Sequence, residues 1–476
     1  GLGVATRASV GHPRKRTGSP DFGQTKDRPD LDDPLTQAFP ACLLPDNLTL
    51  IPGLREVYEL HLAWLEAQTL SGAALVEQAA YFCSVDGRPT RHFLTCVGET
   101  LKLPDFSSAG LRSFFKTNSF RTGYATHGLF PYRGKFHPQM VRGILNVIGV
   151  GPGKTVLDPM MGSGTVPIEA ALLGADAVGV DISPFCTFMT ETKASGLTMS
   201  LERAEGALAS AETTFDYFVR RHGVALPTAG QQLAQDDDLR RVMEEGADYV
   251  VSGRRFRDRE TAETYALLLL AFLDTMGYTQ RSQRKPPLEQ FQGILERYLH
   301  CCRKFQQVRG AQGFDLGRID ARQGDARQLG LADESVDAIL FSPPYSFAID
   351  YAENDAFHLA ALGADRADLD KSMIGLRGGS RLADKYDCYL EDMNGALREC
   401  HRVLKQGCHC VIVVGTNNNQ LSKVLKLPAD QVIGLHKILR DAAESLGFSF
   451  SAEIPRAIKG IANTMREEYI VFLKKE

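Results

Sequence analysis

The tetrapeptide Ser342-Pro343-Pro344-Tyr345 directly follows an apolar run, Ala338–Phe341, that reads as a buried strand. An exocyclic amine on cytosine or adenine is a poor nucleophile, because its lone pair is delocalised into the ring. A catalyst of its alkylation needs fixed acceptors that hold both amine protons and favour a tetrahedral nitrogen. The Ser342 hydroxyl and the Pro343 carbonyl suit that task, and two successive prolines hold the backbone that carries them. Tyr345 offers a ring face on which an extruded base can stack. A proline-rich turn after a strand is common on its own, so the weight of this motif depends on its companions.

Three companions occur in order. In Val156-Leu157-Asp158-Pro159-Met160-Met161-Gly162-Ser163-Gly164-Thr165, an apolar strand enters a small-residue turn and then a helix over Val166–Leu173. Glycines at 162 and 164 allow close backbone approach, and the helix N-terminus presents free N–H groups. Asp158 is placed to accept from an ammonium group, so the turn suits an amino acid joined to a nucleoside. Asp181 ends a second strand, Ala177–Val180, where ribose hydroxyls are expected. Asp325, in Gln323-Gly324-Asp325-Ala326-Arg327, is placed to accept from an adenine amino group. A dinucleotide site is disfavoured, because Gly-x-Gly-x-x-Gly is absent from the turn. The stretch Gly149–Thr155 imitates a phosphate loop but has Ile148 where the first glycine belongs. No Pro-Cys dipeptide is present, so the usual nucleophile of cytosine carbon-5 methylation has no motif.

As a set, these residues resemble the bacterial amino-methylating DNA methyltransferases of the N4-cytosine and N6-adenine type. The resemblance includes Thr126-His127-Gly128, Pro131–Gln139, Asp350-Tyr351 and Arg466–Lys475, and it covers residues 121–195 and 317–476. It implies a class I Rossmann-like α/β fold, a doubly wound sheet, and S-adenosyl-L-methionine as cofactor. Lys135, Phe136, His137 and Pro138 would border the methionine end. Asp158 and Gly162, Ser163, Gly164 and Thr165 would hold its amino-acid part, Asp181 its ribose and Asp325 its adenine. Pro159, Met160, Ile182 and Ala326 complete the expected wall. Ser342, Pro343, Pro344 and Tyr345 would be catalytic, with serine at the head resembling the N4-cytosine subgroup. Met160-Met161 departs from the more usual phenylalanine and small residue. The wording of Gly162–Ala171 also resembles guanosine-N2 methylating transfer-RNA enzymes, so RNA stays open as a substrate beside the favoured DNA. A catalytically silent nucleic-acid-binding subunit is a remoter alternative.

Elements must bring these motifs together. The apolar runs Thr155–Leu157, Ala177–Val180, Ala338–Phe341, Cys410–Val414 and Tyr469–Leu473 predict strands that alternate with helices. Residues 121–195 and 317–476 would form the two parts of this core. Residues 196–316 read as a helical insertion, a candidate for target recognition, with Ala262–Met276 and Leu288–Phe305 as helices. Residues 34–120 read as a helical N-terminal lobe with patches at Val57–Leu65 and Ala73–Phe82. Residues 1–33 read as a disordered tail. Arg254–Arg257 and Arg281–Lys285 could grip phosphates, although a solvated charged face is the favoured reading of either alone. His127 and His137 flank the expected cofactor approach.

A net charge of −4 argues against a wholly basic nucleic-acid binder but leaves room for a local basic cleft. Ten cysteines without a Cys-x-x-Cys pair predict reduced thiols and no metal site. Cys408-His409-Cys410 alternates faces on a strand and reads as core packing. No apolar run reaches membrane-spanning length, and the expected compartment is cytoplasmic or nucleoid-associated, or nuclear or organellar in a eukaryote.

Overall fold

The computed structural model describes residues 44–54, 56–97, 122–132, 134–226, 237–252, 258–281, 285–344, 355–415, 417–458 and 467–476. The expected tail, 1–33, lies outside them, as do Tyr345, Asp350-Tyr351, Arg254–Arg257 and residues 282–284 of the basic loop.

Seven strands form the main sheet: β4 (Thr155–Asp158), β5 (Asp176–Asp181), β6 (Ile319–Gln323), β7 (Val336–Phe341), β8 (Leu404–Gly415), β9 (Phe448–Ala457) and β10 (Glu467–Lys475). Their order is β6-β5-β4-β7-β8-β10-β9. The first five are parallel, and β10 runs antiparallel between β8 and β9. This is the expected doubly wound class I arrangement.

The strands are apolar because both sheet faces are covered. Along β7, β8 and β10, successive side chains enter opposite cores. Ala338, Leu340, Val411, Val413, Ile470 and Phe472 pack with Met140, Ile144 and Val166 from the helices Pro138–Val147 and Thr165–Leu172. Ile339, Phe341, Cys410, Ile412, Val414, Val471 and Leu473 pack with the helices Leu382–Val403 and Leu435–Ser445. The predicted core strands are therefore present, each somewhat longer than its apolar run. Two strands without such a run escaped the pattern. β6 closes one edge with Asp320 and Arg322 in solvent, and β9 closes the other as Phe-Ser-Phe-Ser with half its side chains exposed.

The insertion is helical as expected, with Glu202–Ala209, Ala211–Arg221, Asp237–Ser252, Arg259–Arg281 and Pro287–Gln312. Leu267–Leu273 are at most 1% exposed, so the centre of the helix Arg259–Arg281 is surrounded on all sides. Its cluster is continuous with Phe185 and Met189 of the helix Pro184–Gly196. Asp274 accepts from Arg297 (2.7 Å) and Tyr298 (3.0 Å), and Tyr298 accepts from the Phe130 amide at 3.0 Å. The insertion thus buttresses the segment that leads into the cleft.

The N-terminal lobe corrects an expectation. It is not purely helical: β1 (Leu48–Leu50), β2 (Phe82–Val85) and β3 (Arg88–Pro89) form a small antiparallel sheet beside the helices Val57–Thr69, Ala73–Gln78 and Arg91–Val97. The patch Ala73–Phe82 is a helix only to Gln78. Buried Glu66 accepts the amides of Ala80 and Tyr81 and draws the chain into β2. Asp86-Gly87, both at positive φ, then turn β2 into β3.

Candidate active site

β4 lies between β5 and β7. From β4 the chain moves outward to one side, and from β7 to the other. A crevice therefore opens at the carboxyl ends of these two neighbours. Their register, with Val156 opposite Ala338 and Leu157 opposite Ile339, brings the end of β4 beside the end of β7. The glycine turn and the Ser-Pro-Pro segment thus share one cleft although far apart in sequence. Phe136, Pro159, Met160, Gly162, Ser163, Thr165, Asp181, Ile182, Asp325, Ala326, Ser342, Pro343 and Pro344 all line it.

The remaining expected residues stand behind this surface. Asp158 is 1% exposed and accepts the Met160 amide at 3.0 Å. Burial, and then the charge of Asp181, push its carboxyl well above the usual range. Gly164 caps the helix Thr165–Leu172 at φ 75°, and a Cβ there would lie 2.6 Å from Thr190 Oγ1. This glycine is required both by conformation and by space. The Lys135 amine is buried and donates to the carbonyls of Thr122 and His127, and burial lowers its pKa to about 8. His137 and Pro138 start the helix Pro138–Val147, with proline at its first position. Tyr345 lies outside the described residues.

Two of the lining acids are already engaged. Asp181 accepts the Gly162 and Ser183 amides, each at 2.9 Å, and burial raises its pKa. Asp325 is gripped by Arg327 through Nη2 at 2.6 Å and Nε at 2.9 Å. Burial would raise the Asp325 pKa, but the Arg327 hydrogen bonds and charge hold it below the ordinary value. Arg327 also reaches Asp392 at 2.6 Å and the Ser372 carbonyl at 2.7 Å. A cofactor amino group at Asp325 would therefore share that carboxylate with an arginine.

His127 has a structural place. Its Nε2 lies 2.7 Å from Glu169, which also accepts from Tyr124 at 2.6 Å, all beneath the turn helix. Burial lowers the His127 pKa to about 4, so a neutral ring donates to Glu169. Burial raises the Glu169 carboxyl, yet the His127 bond and the nearby Arg142 hold it below the ordinary value. Of the Cys408-His409-Cys410 stretch, Cys410 is buried in the core and Cys408 is half-buried against it.

Sequence patterns missed several cleft residues. Tyr132, Cys186, Asp355, Leu359, Leu369, Met373 and Ile374 also line it. Tyr389 donates to the Pro344 carbonyl at 3.0 Å and so fixes the backbone after the two prolines. Tyr132 sits inside a motif that was recognised, but Cys186, Leu359, Leu369 and Tyr389 come from helices and Asp355, Met373 and Ile374 from their ends, where no residue pattern marks a ligand.

Residues 129–221 match the family model described as an RMKL-like methyltransferase domain, and residues 336–475 match the one described as a DNA methylase. The chain is 42% identical over 67 residues to the type II methyltransferase M.MjaII of Methanocaldococcus jannaschii, covering 14% of this chain and 12% of that protein. It is 24% identical over 282 residues to the type II methyltransferase M.BsoBI of Geobacillus stearothermophilus, covering 50% and 53%. It is 43% identical over 53 residues to a tRNA (guanine(10)-N2)-dimethyltransferase of Methanothermobacter thermautotrophicus, covering 11% and 16%. The chain thus spans about half the length of these curated relatives at most. The RMKL-like match extends through the first two helices of the insertion, to Arg221, and residues from both matched segments line one cleft, so that the chain carries a segment similar to a methyltransferase domain beside one similar to a DNA methylase.

Proposed function

We propose that this chain transfers a methyl group from S-adenosylmethionine to an exocyclic amino nitrogen of a nucleic-acid base, with cytosine N4 in DNA as the favoured target. The observation that carries this reading is the shared cleft: the glycine turn, Asp181 and Ser342-Pro343-Pro344 line one crevice. The residues fit the cofactor. A left-handed glycine turn and a helix N-terminus suit its amino-acid end, Asp181 suits its ribose, and Met160, Ile182, Ala326 and Ile374 make apolar walls for its adenine. When bound, S-adenosylmethionine supplies an electrophilic methyl group.

The protein's own contribution is hydrogen bonding and alignment. The Ser342 hydroxyl and the Pro343 carbonyl accept the two amine protons and favour the tetrahedral nitrogen that develops as the new bond forms. The Tyr389 hydroxyl holds the Pro344 carbonyl, so these acceptors need not reorganise during reaction. Serine rather than an acid at position 342 supports cytosine over adenine.

A second reading, an RNA amino methyltransferase, is supported by the RMKL-like match over residues 129–221 and by the likeness to the guanine-N2 enzyme. Mass analysis of nucleosides from DNA and RNA incubated with the purified chain and cofactor separates the two. N4-methylcytidine in the deoxy series is expected. A methylated guanosine from RNA, with DNA unchanged, would replace the DNA reading.

A further inference from the structure

Asp181 is not the only acid at its end of the cleft. Asp355 is 8% exposed and lines the same cavity. Its hydrogen bonds are long: the Tyr132 hydroxyl donates to Oδ2 at 3.4 Å, and His358 Nδ1 lies 3.4 Å from Oδ1. His358 Nε2 lies 3.2 Å from the Leu273 carbonyl. With Nε2 donating there, Nδ1 carries a proton toward Asp355 only in the doubly protonated ring. Among the described residues, Asp355 therefore keeps acceptor capacity that its neighbours do not fill.

Tyr132 joins the two acids. A Cβ on Gly162 would lie 3.7 Å from the Tyr132 ring, and the Gly162 amide is the one held by Asp181. The Tyr132 hydroxyl then reaches Asp355, with the Cys186 thiol 3.5 Å from the same oxygen. Asp355 lies close enough that its charge, after burial, raises the Asp181 pKa. Two buried carboxylates facing one cavity repel each other and call for donors. Each Asp181 oxygen takes one backbone N–H, and the Cys186 thiol adds a third contact, which leaves this carboxylate room for one further donor.

A ribose presents two adjacent hydroxyls and so brings two donors to two acids. We propose that Asp355 is a second ribose acceptor, so that Asp181 and Asp355 each take one hydroxyl of a nucleoside cis-diol and the cleft selects a ribonucleoside cofactor. This rests on reading the cleft as the S-adenosylmethionine site.

The test is calorimetric titration of the full chain with S-adenosylhomocysteine and with its 2′-deoxy and 3′-deoxy analogues. Asp355→Asn should weaken binding of S-adenosylhomocysteine about tenfold or more, the scale of one hydrogen bond to a charged group. One deoxy analogue should bind the parent about as weakly and lose little further in the variant. Unchanged affinity of Asp355→Asn for S-adenosylhomocysteine overturns the proposal. So does an equal loss for all three ligands, which marks general damage to the cleft. If the parent does not bind S-adenosylhomocysteine, the cofactor reading fails, and the ribose assignment with it. The apo variant should melt no lower than the parent, since one of two repelling charges is gone. Should Asp355→Asn not fold, Asp355→Ser carries the same comparison.

Discussion

On the proposed function, the chemistry depends on the Ser342 hydroxyl standing at a fixed place. Ser342 and the prolines line the cleft, and Tyr389 holds the carbonyl that follows them. Ser342→Ala removes one acceptor for the target amine and leaves the glycine turn and Asp181 untouched. Turnover should fall about a hundredfold, or roughly 3 kcal/mol in the barrier, because the lost contact matters most as the nitrogen becomes tetrahedral. Affinity for S-adenosylhomocysteine should stay within about twofold. Single-turnover rates and titration calorimetry measure the two effects separately. A parent-like rate would exclude Ser342 from the chemistry and leave the methyl acceptor unassigned.

Among the elements, the junction between β4 and the helix Thr165–Leu172 is the most demanding. Gly164 is at φ 75° and its Cα faces Thr190. An alanine there adopts the left-handed region at a cost of roughly 1–2 kcal/mol and also meets the Thr190 side chain. Gly164→Ala should therefore lose about 2–4 kcal/mol of stability by urea unfolding, the left-handed cost plus the strain of overpacking. Adding Thr190→Ala should restore only the part due to crowding, because the backbone strain stays. Full rescue by the second substitution would mean that space, not conformation, selects glycine at this turn. The same junction explains the legibility of the site. A strand end, a tight turn and a helix start each impose a residue type locally, so Asp158–Thr165 could be read without knowing its neighbours.

For the molecule as a whole, Glu66 joins the N-terminal lobe to the α/β core. It is fully buried on the helix Val57–Thr69, accepts the Ala80 and Tyr81 amides, and accepts the Asn146 side chain of the helix Pro138–Val147 at 2.6 Å. Burial pushes its pKa up to about 7 from 4.5, against the lowering effect of those hydrogen bonds. Below pH 4.5 both folded and unfolded chains carry the proton. As pH rises toward 7 the unfolded chain gives it up first, so stability falls, by about 3 kcal/mol once pH passes the folded value. Glu66→Gln should flatten this part of the profile. Urea midpoints of parent and variant at pH 5 and pH 7.5 give the comparison. If the two profiles run parallel, Glu66 ionises alike in both states.

What the sequence by itself determined follows from short-range necessity. Apolar runs such as Cys410–Val414 specify strands covered on both faces, and acids at strand ends mark where polar groups of a ligand can be met. Serine, two prolines and a strand before them point to a chemistry only in the company of the glycine turn and the strand-end acids. The edge strands β6 and β9 and the hairpin of the N-terminal lobe were not legible, because an edge needs no continuous apolar run and its partners lie elsewhere in the chain. Only the tertiary structure decided that Tyr132 meets Asp355 across 223 residues, that Tyr389 reaches Pro344 across 45, and that Arg327 occupies Asp325. The first two pairings arise from how helices pack on a sheet, and no local spacing encodes that packing.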